Sequence, residues 1–189
     1  MSIQHFIRCF VVLVGAMVAV GCSHTYTPQI LSDFDFDRVP AFSGKNNDVT
    51  VVNVQTSTEP VKFCQNGFHA WYANLQECTG VVVDTAKREL GNRGLRVTDN
   101  AARSLKLTVT SMNFSIGWVE LAANVQLEVQ TGDGYAAKYT ALGQSWMAGN
   151  VLHQTNAALS NAVVEMLRDK KIVSYLTGIP EAEIPAPKH

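Results

Sequence analysis

Residues 119–130 read VELAANVQLEVQ, and they contain the most regular alternation of apolar and polar side chains in the chain. Apolar side chains occupy six successive odd positions, and polar side chains hold most of the even positions between them. This period of two is typical of a strand with one buried and one solvated face. The sequence TGDG at 131–134 then predicts a tight hairpin turn, because glycine tolerates a positive φ. A return strand is predicted over 135–147, so the two strands are antiparallel.

The flanking segments complete an α+β pattern. Further strands are predicted over 48–56, which is dense in valine and threonine, and over 105–110, where apolar and polar residues alternate. Apolar residues recur at helical spacing over 79–92 and again over 155–171. We therefore expect an α+β domain in which an antiparallel sheet of about four strands carries two helices packed on one face.

Composition and charge narrow the class of function. The chain of 189 residues has a formal net charge of −1 at pH 7 and no long basic run. Nucleic-acid binding depends on clustered lysine and arginine, so no nucleic-acid partner is expected. The glycine-rich turn at 131–134 lacks the spacing of a phosphate-binding loop. No cofactor is therefore expected.

The first 22 residues carry the features of an export signal. An uncharged apolar run over 9–21 follows a short segment that contains one cation, Arg8. This run is too short for a membrane span, which needs about 20 residues. Small residues then lead into Cys22, so residues 1–21 are predicted to be a signal peptide. Two alternatives stay open: a soluble secretory signal with Cys22 incidental, and a retained membrane anchor.

The sequence AVGC at 19–22 resembles a bacterial lipobox. In proteins with that motif the signal is removed before the cysteine, which receives a diacylglycerol thioether and an N-acyl chain such as palmitate. The resemblance implies lipidation at Cys22, and two or more acyl chains hold a domain on a membrane nearly permanently. Ser23 in the next position is similar to an outer-membrane sorting signal. The implied location is therefore the outer membrane, facing the periplasm.

The segment after Cys22 is mixed in composition and is predicted to be a tether. Its DFDFD sequence at 33–37 alternates with period two, which indicates an edge strand or two phenylalanines laid on the domain. The spaced aspartates also match half of a calcium loop, but Arg38 and Gly44 occupy the positions of its glycine and glutamate. The predicted regions are a signal peptide at 1–21, the lipidated cysteine and tether at 22–47, a periplasmic α+β domain at 48–178 and a mobile tail at 179–189.

Cys64 and Cys78 are the two cysteines of the predicted domain. An isolated pair in an oxidising periplasm normally forms a disulfide, so we expect these two to be joined. Closing this loop of 15 residues contributes about 3 kcal/mol in the chain-entropy model. Once paired, Cys64 has no thiolate to work with His69, so cysteine catalysis is not expected.

The segment between these cysteines is rich in aromatic side chains. Phe68, Trp71 and Tyr72 are candidates for a partner-binding patch, because large aromatic residues are favoured as interface anchors. The alternative is that these rings cover one end of the core, where aromatic residues supply much of the buried area. Their exposure distinguishes the two interpretations.

No enzyme active site is expected. The histidines that follow the signal are dispersed, and none lies at a metal-ligand spacing or beside a nucleophile. We therefore predict no catalytic residue and no metal site.

The whole layout resembles small bacterial outer-membrane lipoproteins of the YajG-like kind. The features that carry the resemblance are AVGC at 19–22, the valine-rich strand at 49–54, RGL at 93–95, the hairpin turn at 131–134 and the alanine- and valine-rich helix at 157–167. The resemblance implies a non-enzymatic envelope lipoprotein.

Two functions are compatible with these features. The first is a lipid-anchored binding or assembly protein that engages an envelope protein complex and meets the membrane through its N-terminal lipid. The alternative is a carrier or chaperone of apolar ligands such as lipids, held in a groove between the helix pair and the sheet. The sequence specifies neither the partner nor the oligomeric state.

Overall fold

The computed structural model describes residues 21–31, 36–43, 47–117, 120–146 and 150–186. The fold class is α+β, as predicted, with two sheets and three α-helices within these residues. None of the helices in this part of the chain is long and apolar enough to cross a membrane. Residues 1–20 of the predicted signal and the first three residues of the DFDFD motif lie outside the described chain.

Strands and helices follow one another in an order close to that predicted. The elements are β1 (Cys22–Tyr26), β2 (Asp48–Asn53), β3 (Pro60–Asn66), β4 (His69–Asn74), α1 (Leu75–Asn92), β5 (Arg96–Val97), β6 (Arg103–Ile116), β7 (Glu120–Thr131), β8 (Ala136–Trp146), α2 (Val151–Arg168), α3 (Lys170–Thr177) and a 3-10 helix (Glu181–Glu183). Strands β1, β3 and β4 were not predicted, and they form a sheet of their own.

The large sheet has five strands in the order β5-β2-β6-β7-β8. Its last three strands form an antiparallel meander in which Leu105 lies opposite Thr131 and Val125 opposite Ala141. The predicted hairpin is thereby confirmed. Strand β2, however, runs parallel to β5 and β6, so the prediction of a purely antiparallel sheet of about four strands was wrong. The cause is helix α1, which lies between β2 and β5, because a crossover through a helix returns the chain in the same direction.

A β-bulge lets the long strand β6 keep one face buried. The register with β7 shifts between Val109 and Ser111. Buried side chains fall on odd positions before the bulge and on even positions after it, at Met112 and Phe114. The extra residue at a bulge exchanges the two faces of a strand. Strand β6 therefore continues well beyond its predicted end at residue 110.

The small sheet has three strands in the order β1-β4-β3. Strands β3 and β4 form an antiparallel hairpin, and β1 pairs with β4 in parallel. Tyr26, at the end of β1, is fully buried, and its hydroxyl donates to Oδ1 of Asn156 in α2 at 2.5 Å. Residues 22–26 thus belong to the folded domain and differ from the predicted tether, because Tyr26 supplies a large ring to the core.

The next part of the predicted tether also lies on the domain where it is described. Arg88 donates to the carbonyl oxygen of Leu31 at 2.8 Å, and Arg93 donates to that of Pro40 at 2.9 Å. Val39 is buried beside them. Arg88 of α1 and Arg93, the residue that caps the end of α1, thus supply hydrogen-bond donors to carbonyl oxygens of this segment, which is not paired in a strand.

The helices begin and end at recognisable caps. Asn74 caps α1 by accepting hydrogen bonds from two backbone amides of its first turn. The single helix predicted over 155–171 is divided in two, because α2 ends at Arg168 and Asp169 then caps α3. The extended backbone of an N-cap residue interrupts the helical hydrogen bonding at this point.

The core lies between the large sheet and the helices. Helix α1 packs on β2 and β6, and α2 packs on β7 and β8. Gly143 allows α2 to approach β8, since a Cβ atom at this position would lie 2.1 Å from the carbonyl oxygen of Gln154. The space between the layers is filled by fully buried side chains that include Leu107, Leu127 and Leu159.

The predicted mobile tail is packed along part of its length. Ile184 is only 2% exposed, and Lys170 donates to its carbonyl oxygen at 2.7 Å. Burial of this isoleucine removes apolar surface from water and explains why the segment folds back. Residues 187–189 lie outside the described chain.

Candidate functional site at the edge of the small sheet

Cys22, the predicted lipidation residue, is the first residue of β1 and is exposed. It lies opposite His69 of β4. Tyr26 is anchored in the core only four residues further along the strand. The position of Cys22 relative to the domain is therefore fixed by a strand and not by a flexible linker.

Phe68 lies at the tip of the β3–β4 hairpin, directly beside Cys22. Gly67 precedes it with a φ of +56°, a conformation that favours glycine, and the turn exposes 69% of Phe68. The backbones are close here, because a Cβ atom on Gly21 would lie 2.9 Å from the carbonyl oxygen of Phe68. The most exposed of the three aromatic candidates is thus a neighbour of the predicted lipid attachment point.

Trp71 and Tyr72 lie on opposite faces of the small sheet, as consecutive residues of a strand must. Trp71 packs against the core, and its ring stacks on that of His24 with centroids 5.0 Å apart. Tyr72 shares the other face with Lys62, its register partner on β3. Both rings are half-buried. The aromatic residues predicted as one patch are therefore divided between two faces and the hairpin tip.

The Tyr72 face contains a shallow depression of about 410 Å³ that reaches Cys22 and Phe68. Lys62 lies at its wall, where its amine donates to Oε1 of Gln65 at 2.8 Å. We call the surface formed by Cys22, Lys62, Phe68 and Tyr72 the anchor edge. It combines an exposed aromatic ring, a phenol and a cation beside one exposed cysteine.

His24 and His69 form a hydrogen-bonded pair behind the anchor edge. Nε2 of His24 lies 2.9 Å from Nδ1 of His69, and the ring planes differ by 19°. One ring therefore donates its N–H to the lone pair of the other ring. This hydrogen bond uses one nitrogen of each histidine. Within the described residues, no group of three or more His, Cys, Asp or Glu side chains is arranged to hold a metal ion.

Cys64 and Cys78 are both buried and both carry free thiols in this structure. Burial raises the pKa of the Cys64 thiol, and burial together with the charge of Glu77 raises that of Cys78 to about 12. Thiols with raised pKa values hold their protons at neutral pH and are poor nucleophiles. The disulfide between them is not present here and stays a prediction.

The face of the large sheet that lies opposite the helices is a second exposed surface, which we call the open face. Leu142 of β8 is 46% exposed on it, and Glu128 and Lys138 form an ion pair across β7 and β8 at 2.5 Å. This pair lines a cavity of about 280 Å³. Its exposed amide and hydroxyl residues include Ser111, Asn113, Gln126, Gln130, Thr140 and Gln144.

Sequence reasoning found the residues of the anchor edge except Lys62, but it did not bring them together. The pairing of β1 with β4 joins residues more than 40 positions apart, and the short CSHTY segment has little periodicity. One signal in the sequence could have been used. Tyr26 is a large aromatic residue between two threonines, which indicates that its side chain alone points into the core.

Comparisons with known proteins add no family assignment. No protein-family model and no curated protein matches the chain. Among solved structures, a Xanthomonas campestris protein of family DUF330 is similar with 12% identity and a TM-score of 0.42, over 83% of this chain and 96% of that chain.

Two further similar structures have comparable values. A minor lipoprotein from Acinetobacter baumannii has 10% identity and a TM-score of 0.39, over 74% of this chain and 96% of that chain. PelC from Paraburkholderia phytofirmans, crystallised as a dodecamer, has 15% identity and a TM-score of 0.35, over 74% of this chain and 92% of that chain. At these scores the similarities do not identify a family, so the YajG-like resemblance stays a prediction.

Proposed function

We propose that this protein is a lipid-anchored, non-enzymatic binding and assembly protein of the bacterial outer membrane that faces the periplasm and engages an envelope protein complex. One observation carries the proposal. The lipobox cysteine, Cys22, is the first residue of a strand that is built into the folded domain. Lipidation at this position would hold the end of the domain that carries β1 against the membrane.

This mode of anchoring limits how far the domain can extend from the membrane. A flexible segment as long as 22–47 would have an end-to-end distance of about 30 Å, and more when stretched. Strand β1 and the packed segment after it remove most of that reach. A partner must therefore come within the height of the domain itself, which favours a membrane-associated complex over a distant soluble partner.

The open face is the surface that we assign to the protein partner. It is wide and mostly polar, and it presents amides, hydroxyls and the exposed Leu142. Interfaces of non-obligate complexes have this mixed character, with hydrogen-bonding groups around a small apolar centre. Of the residues first considered for partner binding, Trp71 and Tyr72 are half-buried, so they contribute less surface than expected.

The non-enzymatic part of the proposal is supported by the states of the reactive side chains. Cys64 and Cys78 are buried thiols with raised pKa values. His24 and His69 each engage a ring nitrogen with the other. None of these four groups is placed to activate a nucleophile.

Core packing counts against the alternative function as a carrier of apolar ligands. The groove proposed for such a ligand lies between the sheet and the helices. Leu107, Leu127 and Leu159 are fully buried there. A ligand would have to displace these side chains, at a cost comparable to that of overpacking a core.

Lipidation is tested by labelling cells with a fatty-acid analogue. The full chain should incorporate the label and fractionate with membranes, and Cys22→Ser should abolish both. Ser23→Ala, one residue away and also exposed, is the matched control for lipidation. An unlabelled wild-type protein would contradict the proposal.

The partner surface is tested by photo-crosslinking in cells that produce the lipidated protein. A benzophenone amino acid at Thr140, on the open face, should give a discrete protein adduct that mass spectrometry identifies. The control position is Asp84, which is exposed on α1. Absence of an adduct at Thr140, or an identical pattern at both positions, would rule out the open face as the binding surface.

A further inference from the structure

We propose that the anchor edge is a membrane-docking surface and that its occupant is the phospholipid bilayer. In this arrangement Phe68 inserts at the membrane interface, while Tyr72 and Lys62 lie at the level of the headgroups. The inference rests on the proposed lipidation of Cys22, and it deepens that proposal by naming the residues that accompany the lipid. It also reassigns Phe68 and Tyr72 from a protein partner to the membrane.

The position of Phe68 relative to the anchor is the first argument. Cys22 and Phe68 border the same depression, and β1 places Cys22 beside the hairpin that carries Phe68. Acyl chains attached to the Cys22 sulfur and amine enter the bilayer directly. A side chain beside their attachment point therefore lies at the membrane surface whatever the tilt of the rest of the domain.

The rigidity of β1 is the second argument. Its pairing with β4 places Cys22 opposite His69, the residue that follows Phe68. Burial of Tyr26 holds the other end of the strand. The hairpin tip and the lipid anchor thus move as one body, so Phe68 cannot swing away from the membrane while the lipid stays inserted.

The chemistry of the side chains is the third argument. Phe68 lies at a hairpin tip and is 69% exposed. Aromatic residues and lysines are enriched where a protein meets the membrane interface, since rings sit at the headgroup level and amines pair with phosphates. Lys62 and Tyr72 are register partners on the face of the depression, so they present a cation and a phenol together.

A bilayer fits this surface better than a protein does. The exposed apolar group is a single ring next to a lipid attachment point, and a second apolar anchor of the kind that forms a protein hot spot is not among the described residues of the anchor edge. The neighbouring depression is shallow and polar at its wall. These features suit headgroups and interfacial water.

The test is photo-crosslinking of the full lipidated chain in vesicles of phosphatidylethanolamine and phosphatidylglycerol. A benzophenone amino acid at Phe68 should give phospholipid adducts at least tenfold more often than the same group at Leu142 on the open face. Both positions are exposed, so neither replacement disturbs the core. Equal lipid labelling at the two positions, or no lipid adduct at Phe68, would overturn the inference.

The same samples separate this inference from the proposed lipidation. The intact mass of the protein shows whether Cys22 carries acyl chains. An unmodified mass refutes the proposed function and this inference with it. A lipidated mass without a lipid adduct at Phe68 overturns the membrane-docking surface alone.

Discussion

The large and small sheets differ in how their strands are held together. Strands β6, β7 and β8 are consecutive, and each pairs with its neighbour in the chain. The small sheet joins β1 to β4 across more than 40 residues and ends at the exposed Cys22, beside the hairpin tip that exposes Phe68. The large sheet supplies more of the core than the small sheet, which contains the proposed lipid attachment point.

The large sheet therefore contributes mainly to stability, and the small sheet contributes mainly to the proposed function. Consecutive pairing costs little chain entropy and builds a core that packs two helices. Non-local pairing of β1 costs more chain entropy, and burial of Tyr26 offsets that cost. The result is that Cys22, the proposed lipid attachment point, has a fixed position relative to the domain. Four substitutions test this contrast, and they are given in order of decreasing expected effect.

Gly143→Val should affect stability most, because it disrupts the close packing of α2 on the large sheet. The new side chain would overlap the Gln154 carbonyl oxygen and the Ala158 backbone nitrogen, at 2.1 Å and 2.9 Å from Cβ. We expect a loss of more than about 4 kcal/mol or failure to fold, measured by urea unfolding. Gly91→Ala, in open space on α1, is the control and should gain up to about 1 kcal/mol. A mild effect of Gly143→Val would show that α2 does not approach β8 this closely.

Tyr26→Ala tests the small sheet in the same way. Loss of a fully buried ring should cost about 3–5 kcal/mol in urea unfolding. Tyr26→Phe keeps the ring and removes only the donor to Asn156, so about 1 kcal/mol is expected. A tether predicts almost no change for either variant, and a loss below about 1 kcal/mol for Tyr26→Ala would favour the tether.

Thr79→Val probes the bulge that extends β6. The Thr79 hydroxyl accepts from the backbone N–H of Val109 at 3.0 Å, beside the register shift. Valine has nearly the same shape and leaves this buried N–H unpaired, so we expect a loss of about 1–3 kcal/mol. Thr79→Ser retains the hydroxyl and should recover most of the difference. Equal stability of the valine and serine variants would show that this hydrogen bond does not contribute to stability.

Asp169→Asn should give the smallest effect, which is present at neutral pH and is lost at acid pH. Burial raises the pKa of Asp169, but hydrogen bonds from Tyr139 and Tyr135 and from backbone amides outweigh it, and the net shift is downward. A lowered folded-state pKa stabilises the protein above the unfolded value of about 3.9, and this contribution is lost as the pH falls through the folded-state pKa.

Unfolding measured from pH 7 down to pH 2 checks this expectation. The stability advantage of the wild type over Asp169→Asn should shrink below about pH 4. Asparagine still caps α3, so the helix is retained. Asp99→Asn, in an exposed turn, is the control. A difference that stays constant with pH would mean that the Asp169 charge is not the cause.

The contrast between the sheets also explains what could be predicted from sequence. The strict alternation over 119–130 identified β7, its hairpin turn and β8, because these features depend on neighbouring residues. The parallel direction of β2 and the bulge after Val109 depend on contacts with α1, which local periodicity does not report. The break at Asp169 was missed because apolar spacing continues through it from α2 into α3.

The sequence identified most residues of the candidate site but did not show that they lie close together. Cys22 was identified from the motif before it, and Phe68 and Tyr72 from residue type. Their proximity requires the β1–β4 pairing, for which the CSHTY segment offers one buried ring and no periodicity. Lys62 could not be singled out, because its relevance comes only from its register with Tyr72.

Amide hydrogen exchange of the full chain gives the decisive check that residues 22–31 are an ordered part of the folded domain. We expect slow exchange in peptides that cover residues 22–31, at rates similar to those of β4, since β1 pairs with β4 and the Gln29 amide donates to Asn156. Exchange of the whole segment within seconds, as in a flexible tether, would contradict the account and detach the anchor from the fold.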